Sequence, residues 1–88
     1  MRLDIFLKLS RLCPRRTVAH KLCDAGLVFL NGRAAKSAHA VTTGDEIVIR
    51  RGDHELVARV LSVPQMRNVS RRDAHQLVEV ISEGDVTD

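Results

Sequence analysis

The stretch from Arg11 to Gly32, RLCPRRTVAHKLCDAGLVFLNG, changes its hydrophobic period once, and that change decides the fold. Val18, Ala19, Leu22 and Cys23 recur at three- and four-residue steps, the spacing of a helix that buries one face. This predicts a helix from about Arg16 to Ala25, with His20, Lys21 and Asp24 on its outer side. Gly26 supplies the left-handed stop. Thr17 is expected to cap the first turn, although His20 occupies the place where a capping box carries Glu or Gln. From Leu27 to Leu30 the apolar residues are contiguous and end in Asn31-Gly32, a strong signal for a two-residue hairpin turn. Arg33 and Ala34 then begin a return strand.

Toward the N-terminus, Leu3, Phe6, Leu7 and Leu12 mark a second helical stripe over Leu3 to Leu12, ended by Pro14, with Arg2, Lys8 and Arg11 on its polar side. Toward the C-terminus, residues 35 to 43 are small and irregular, and Glu46 to Arg50 reads as a strand. A turn at 51 to 54 leads into a longer β-pattern over Glu55 to Val63, stopped by Pro64. Ser70 followed by Asp73 resembles a capping box ahead of Ala74, Leu77, Val78 and Ile81, which predicts a short C-terminal helix. The last residues, 83 to 88, are expected to fray. The class is α+β: two N-terminal helices packed on a small, twisted, mainly antiparallel sheet, then a short C-terminal helix or tail.

Eighty-eight residues build one small core, burying about 60% of the surface of the unfolded chain. Hydrophobic residues at 44% and charged residues at 28% exclude a disordered composition. The charge is unevenly placed. Residues 1 to 44 carry eight Lys and Arg against Asp4 and Asp24, whereas the rest of the chain carries six basic residues against nine acids. A polyanion is therefore expected at the N-terminal end. With only Phe6 and Phe29 as aromatic rings, a sheet that stacks successive unpaired bases cannot be built, which favours phosphate and shape contacts to folded nucleic acid. Cys13 and Cys23 fall on apolar helix positions and are read as reduced core residues. Neither a secretory signal nor a membrane segment is recognised, so the expected location is the cytoplasm.

Arg11, Arg15, Arg16 and Thr17 surround the helix-helix junction, with Arg2 close by if the first helix packs back on the second. Guanidinium groups present a planar fork of donors that matches phosphate, and a helix start adds free N–H groups and a favourable dipole. For this cluster to act, Arg2, Arg15 and Arg16 must converge without being locked in internal ion pairs. Asp4 is expected to serve as a cap or an arginine partner rather than a catalytic acid. Cys13, His20 and Cys23 do not form a compact ligand set, and neither a metal nor a cofactor is expected.

The sequence Arg2-Leu3-Asp4 with Phe6-Leu7, the Arg15-Arg16-Thr17 elbow, Gly26, Val28 to Gly32, and Val41 through Ile49 with Gly44-Asp45-Glu46 resembles the S-four-type RNA-binding domain, or alpha-L motif. The resemblance covers roughly residues 1 to 63, leaving 64 to 88 as a C-terminal extension. Short members of the RqcP (YabO-like) quality-control type are similar over nearly the whole length, and the small ribosome-associated heat-shock protein is a further relative. The resemblance implies a non-catalytic, cytoplasmic, monomeric rRNA-binding factor. It would act on obstructed large ribosomal subunits carrying peptidyl-tRNA, beside a factor that recruits alanyl-tRNA for C-terminal alanine tailing. It implies rRNA contact by Arg2 and Arg16, with support from Lys8, Arg11, Arg15 and Thr17, and from Asn31, Gly32 and Lys36 on the hairpin side. Val78 stands where these proteins carry a tyrosine. Two other roles compatible with the residues are a helix-turn-helix DNA binder and an accessory subunit of an RNA-modifying enzyme; the first is disfavoured because His20, Lys21 and Asp24 make a poor set of base readers.

Overall fold

A computed structural model describes residues 1–65 and 69–85. The elements run α1 (Leu3–Leu9), α2 (Arg16–Asp24), β1 (Val28–Leu30), β2 (Arg33–Ala34), β3 (Glu46–Arg51), β4 (His54–Val60), α3 (Arg71–Ala74) and β5 (Val78–Asp85). The five strands form one antiparallel sheet in the order β2-β1-β3-β4-β5. Pairing Val28 with Ile49, Leu30 with Ile47, Ile47 with Ala58 and Val60 with Val78 puts these side chains on one face. All of them are buried, in one cluster with Leu3, Phe6, Leu7, Cys13, Ala19 and Cys23 from the helical segment. Alternation along each strand therefore sends Phe29, Val48 and Val57 to the opposite face, where they are half-buried.

The hairpin at Asn31-Gly32 forms as its residues require. Both have positive φ, 52° and 85°, the combination that matches the strand twist. The Asn31 side chain also ties this turn to β3. Its Nδ2 donates to Asp45 at 3.0 Å and its Oδ1 accepts from the Glu46 N–H at 2.9 Å. The small residues that follow β2 are irregular but not loose: the Leu3 N–H donates to the His39 carbonyl, Asp4 to Ser37, and Val41 back to Met1. A β-bridge between Arg2 and Ala40 completes this clamp, which fixes where α1 begins.

Several local expectations are corrected. The first helix ends at Leu9 rather than Leu12, because Ser10 caps it and Arg11 turns the chain with φ 66°. Thr17 does not cap α2; the cap position is Arg15, without a side-chain bond, and Thr17 lies inside the first turn. The fourth strand runs His54–Val60, so residues 61 to 63 leave the sheet. The largest change follows α3. Ser70 does cap that helix, accepting from the Asp73 N–H, yet the helix lasts one turn and the chain becomes β5 from Val78. Leu77, Val78 and Ile81 fit a helical period, but the open edge of β4 offers a full ladder of partners to a run containing three β-branched residues. Within the stretch expected to fray, Glu83, Gly84 and Asp85 pair with Leu56, Glu55 and His54, while 86–88 lie outside the described residues. Met66 and Arg67 also lie outside them.

Space exists for a methyl group at Gly32, so replacing it tests backbone conformation alone. Gly32→Ala is expected to lower unfolding free energy by about 1 kcal/mol in urea titration, with far-ultraviolet circular dichroism unchanged. A neutral result would show that the turn does not hold its left-handed geometry.

Candidate nucleic-acid interface

The clamp on the chain start places the Asp4 carboxylate in a position that is 1% exposed. An ionised group so placed needs several donors, since breaking a buried pair costs about 3–5 kcal/mol. Three residues provide them. Arg2 donates from Nε at 3.1 Å and Nη2 at 3.2 Å, Arg16 donates from Nε at 3.2 Å, and the Ile5 N–H donates at 2.8 Å. Burial alone pushes the carboxyl upward, but the hydrogen bonds from Arg2, Arg16 and Ile5 outweigh it and hold the group below its ordinary value of 3.8. Asp4 is thus the arginine partner expected from the sequence.

That geometry corrects the picture of a free guanidinium cluster. Arg2 and Arg16 are in internal ion pairs, so the cluster is less positive than a count of its arginines. They are not sequestered, however: their side chains remain 42% and 50% exposed. Among the described residues Arg16 engages protein acceptors only through Nε, which leaves Nη1 and Nη2 for an outside ligand. Asp4 therefore acts as a holder that aims two guanidinium groups, one just before α1 and one at the start of α2.

Around this centre lies a cleft of about 410 Å³ lined by Arg2, Asp4, Arg16, Thr17, His20 and Lys21. The first backbone bond within α2 is from the Ala19 N–H to the Arg15 carbonyl, so the N–H groups of Arg16, Thr17 and Val18 precede the helical ladder. His20 stands between two carboxylates, with Nε2 3.1 Å from Asp24 and Nδ1 4.0 Å from Asp4. His20 and Lys21 were not among the expected contacts, although four-residue offsets from Arg16 and Thr17 put them on the same helix face.

The remaining expected residues are not among those lining this cleft. Lys8, Arg11 and Arg15 are exposed, and among the described residues none of them lies within ion-pair distance of a carboxylate. Arg11 holds φ 66° in the place just past a helix where glycine is the ordinary choice, a conformation costing about 1 kcal/mol or more for a side-chain-bearing residue. On the hairpin side, Gly32 and Lys36 are exposed. Asn31 is exposed too, but its amide is committed to Asp45 and Glu46. Burial raises the Asp45 carboxyl, and its bonds from Asn31 and Thr42 bring it below the usual range.

Both cysteines are buried and reduced, as expected. Burial raises each thiol, Cys23 to about 11, so neither supplies a thiolate at neutral pH. The Arg51 charge acts on Cys13 in the opposite sense. Among the described residues no three His, Cys, Asp or Glu are grouped to hold a metal ion.

Residues 1–47 match the S4 domain family, which defines the class of this fold and site. The chain is 42% identical over 83 residues to the RQC P-site tRNA stabilizing factor of Halalkalibacterium halodurans, covering 94% of this chain and 92% of that one. Its counterpart in Streptococcus pneumoniae is 40% identical with the same coverage. Among solved structures, the trimeric Vibrio cholerae Heat Shock Protein 15 superposes with a TM-score of 0.81 at 28% identity, over 93% of this chain and 82% of that one. The chain belongs to the S4-domain family and, within it, to the RQC P-site tRNA stabilizing factors.

Because the folded Asp4 carboxyl is held low, its contribution to stability is complete above the ordinary value of 3.8 and is lost as pH falls through the lower folded value. Asp4→Asn replaces an acceptor of four hydrogen bonds with a group that brings donors of its own. It is expected to cost about 1–3 kcal/mol at pH 7 and to lose the acid-sensitive part of the wild-type stability. Equal stability of the two proteins at pH 7 would contradict the role given to Asp4.

Proposed function

We propose that the protein is a non-catalytic RNA-binding factor of ribosome-associated quality control. It binds large ribosomal subunits that hold obstructed peptidyl-tRNA, steadies the P-site tRNA, and supports C-terminal alanine tailing beside a factor that recruits alanyl-tRNA. It works in the cytoplasm as a monomer. The observation that carries this reading is the Asp4-held pair of half-exposed guanidinium groups at the start of α2, in a chain whose near full-length relatives are named for P-site tRNA stabilization in RQC.

The chemistry of the cleft supports binding rather than turnover. Asp4 is taken up by donors from three residues, and both thiols are held protonated, so the obvious candidates for base and nucleophile are occupied. Arg16 is the principal phosphate contact, through the guanidinium edge that Asp4 leaves open. Arg2 stands beside it, the leading N–H groups of α2 add directed donors, and Thr17 lines the cleft wall. Lys8, Arg11 and Arg15 extend the cationic surface around the helix junction, and Lys36 extends it along the hairpin, where the exposed Gly32 offers backbone. Asn31 contributes by holding that hairpin on β3. The strained backbone at Arg11 supports a binding role, since glycine would relieve the strain but remove the charge.

Heat-shock-type recycling of large subunits carrying peptidyl-tRNA is a second reading, favoured by the likeness to Vibrio cholerae Heat Shock Protein 15. Alanine tailing of a stalled nascent chain in a reconstituted reaction separates the two, because recycling does not require it.

Arg16→Ala is expected to reduce co-sedimentation with large subunits and to lessen the slope of log affinity against log salt by about 0.7 to 0.9 for the lost phosphate contact. Arg11→Gly is expected to act in opposite directions, raising unfolding free energy by about 1 kcal/mol while weakening binding. Wild-type binding and salt dependence in both variants would overturn the assignment of this face.

A further inference from the structure

Arg2 belongs to two hollows at once. On one side it lines the cleft with Arg16 and Lys21; on the other it borders a separate cavity of about 590 Å³ whose walls include Ile5, Ala38, Ala40, Val63 and Pro64. The second cavity falls within the roughly 300–1,000 Å³ of small-ligand sites. The fold builds it from three distant pieces of chain. The bridge between Arg2 and Ala40 draws the chain start against residues 37 to 41, and the segment leaving β4 closes the far side.

We propose that this cavity receives one unpaired nucleobase of the RNA whose phosphates meet Arg2 and Arg16. The inference rests on the RNA-binding reading above and adds a site for a base to a surface otherwise suited to backbone contact. Three features favour a nucleotide. The walls set aliphatic side chains beside polar groups, which suits a base with apolar faces and a polar edge. Gln65 on the lining offers both a donor and an acceptor to a base edge. Among the described residues Arg2 is the one charged side chain on the lining, and it also lines the cationic cleft, so a phosphate and its own base have adjoining places. A neighbouring hollow lined by Ser62, Val69, Asp73 and Leu77 lacks this combination. Among the described residues it carries a carboxylate and no Lys or Arg, which disfavours a phosphate-linked ligand. A single base held in a hollow, rather than a row of stacked bases, also fits a chain with two phenylalanines and no Trp or Tyr.

Methyl NMR on the full chain tests this with two probes, an unpaired RNA pentanucleotide and a blunt RNA duplex. Shifts at Ile5, Ala38, Ala40 and Val63 are expected with the pentanucleotide and not with the duplex, while the cleft around Thr17 and Ala19 responds to both. A cleft response without a cavity response overturns the base site and leaves the RNA-binding reading standing; no response at either place overturns both. As an independent check, Ala38→Leu with Ala40→Leu fills the cavity from exposed positions while keeping both arginines. The double variant should bind the pentanucleotide on the order of fivefold more weakly with an unchanged salt slope, as loss of a non-ionic base contact requires. Wild-type affinity in the folded double variant contradicts the proposal.

Discussion

One buried carboxylate organises the N-terminal half of this protein. Asp4 has almost no access to water, and an ionised group in that position is tolerable only when donors surround it. The donors come from the residue before α1, the backbone of α1, and the first residue of α2. Meeting the needs of Asp4 therefore fixes how the two helices face each other. It also determines which edges of two guanidinium groups are left outward. The same interaction limits the site, because each pairing lowers the local positive charge. Orientation is gained where raw charge is given up, which suits recognition of a phosphate surface better than attraction to any anion.

The sheet converts an uneven sequence into an uneven molecule. Its order places β2, with Arg33 and with Lys36 just beyond it, at one edge and β5, with Glu79, Glu83 and Asp85, at the other. The basic excess of the first 44 residues and the acidic excess of the remainder thus occupy different sides. Asn31 and Asp45 join the β1–β2 turn to the start of β3, so the hairpin is carried rigidly by the sheet. The helix layer and the hairpin are in turn linked through the clamp of residues 37 to 41 on the chain start.

Much of this was legible in the residues. The switch from a helical to a contiguous apolar period at Gly26, followed by Asn31-Gly32, located α2, β1 and β2 because each signal is local. The C-terminal segment was not legible in the same way. Ala74, Leu77, Val78 and Ile81 satisfy a helical period, while Val78, Val80 and Ile81 are β-branched; only the free edge of β4, a feature of the assembled sheet, decides between them. The site divides similarly. The elbow arginines stood out by density of charge, and His20 and Lys21 share a face with Arg16 and Thr17 by helical spacing. The pairing of Arg2 and Arg16 with one carboxylate depends on two helices docking, and Thr17 as a cap failed because Arg15 occupies that position.

Electron cryo-microscopy of the protein on large subunits carrying peptidyl-tRNA tests the central claim most directly. The account predicts that the α2 cleft lies against a sugar-phosphate surface, with Arg2 and Arg16 still joined to Asp4 and the outer edge of Arg16 turned to a phosphate. A complex in which that cleft faces solvent while the β5 edge meets the RNA would contradict it.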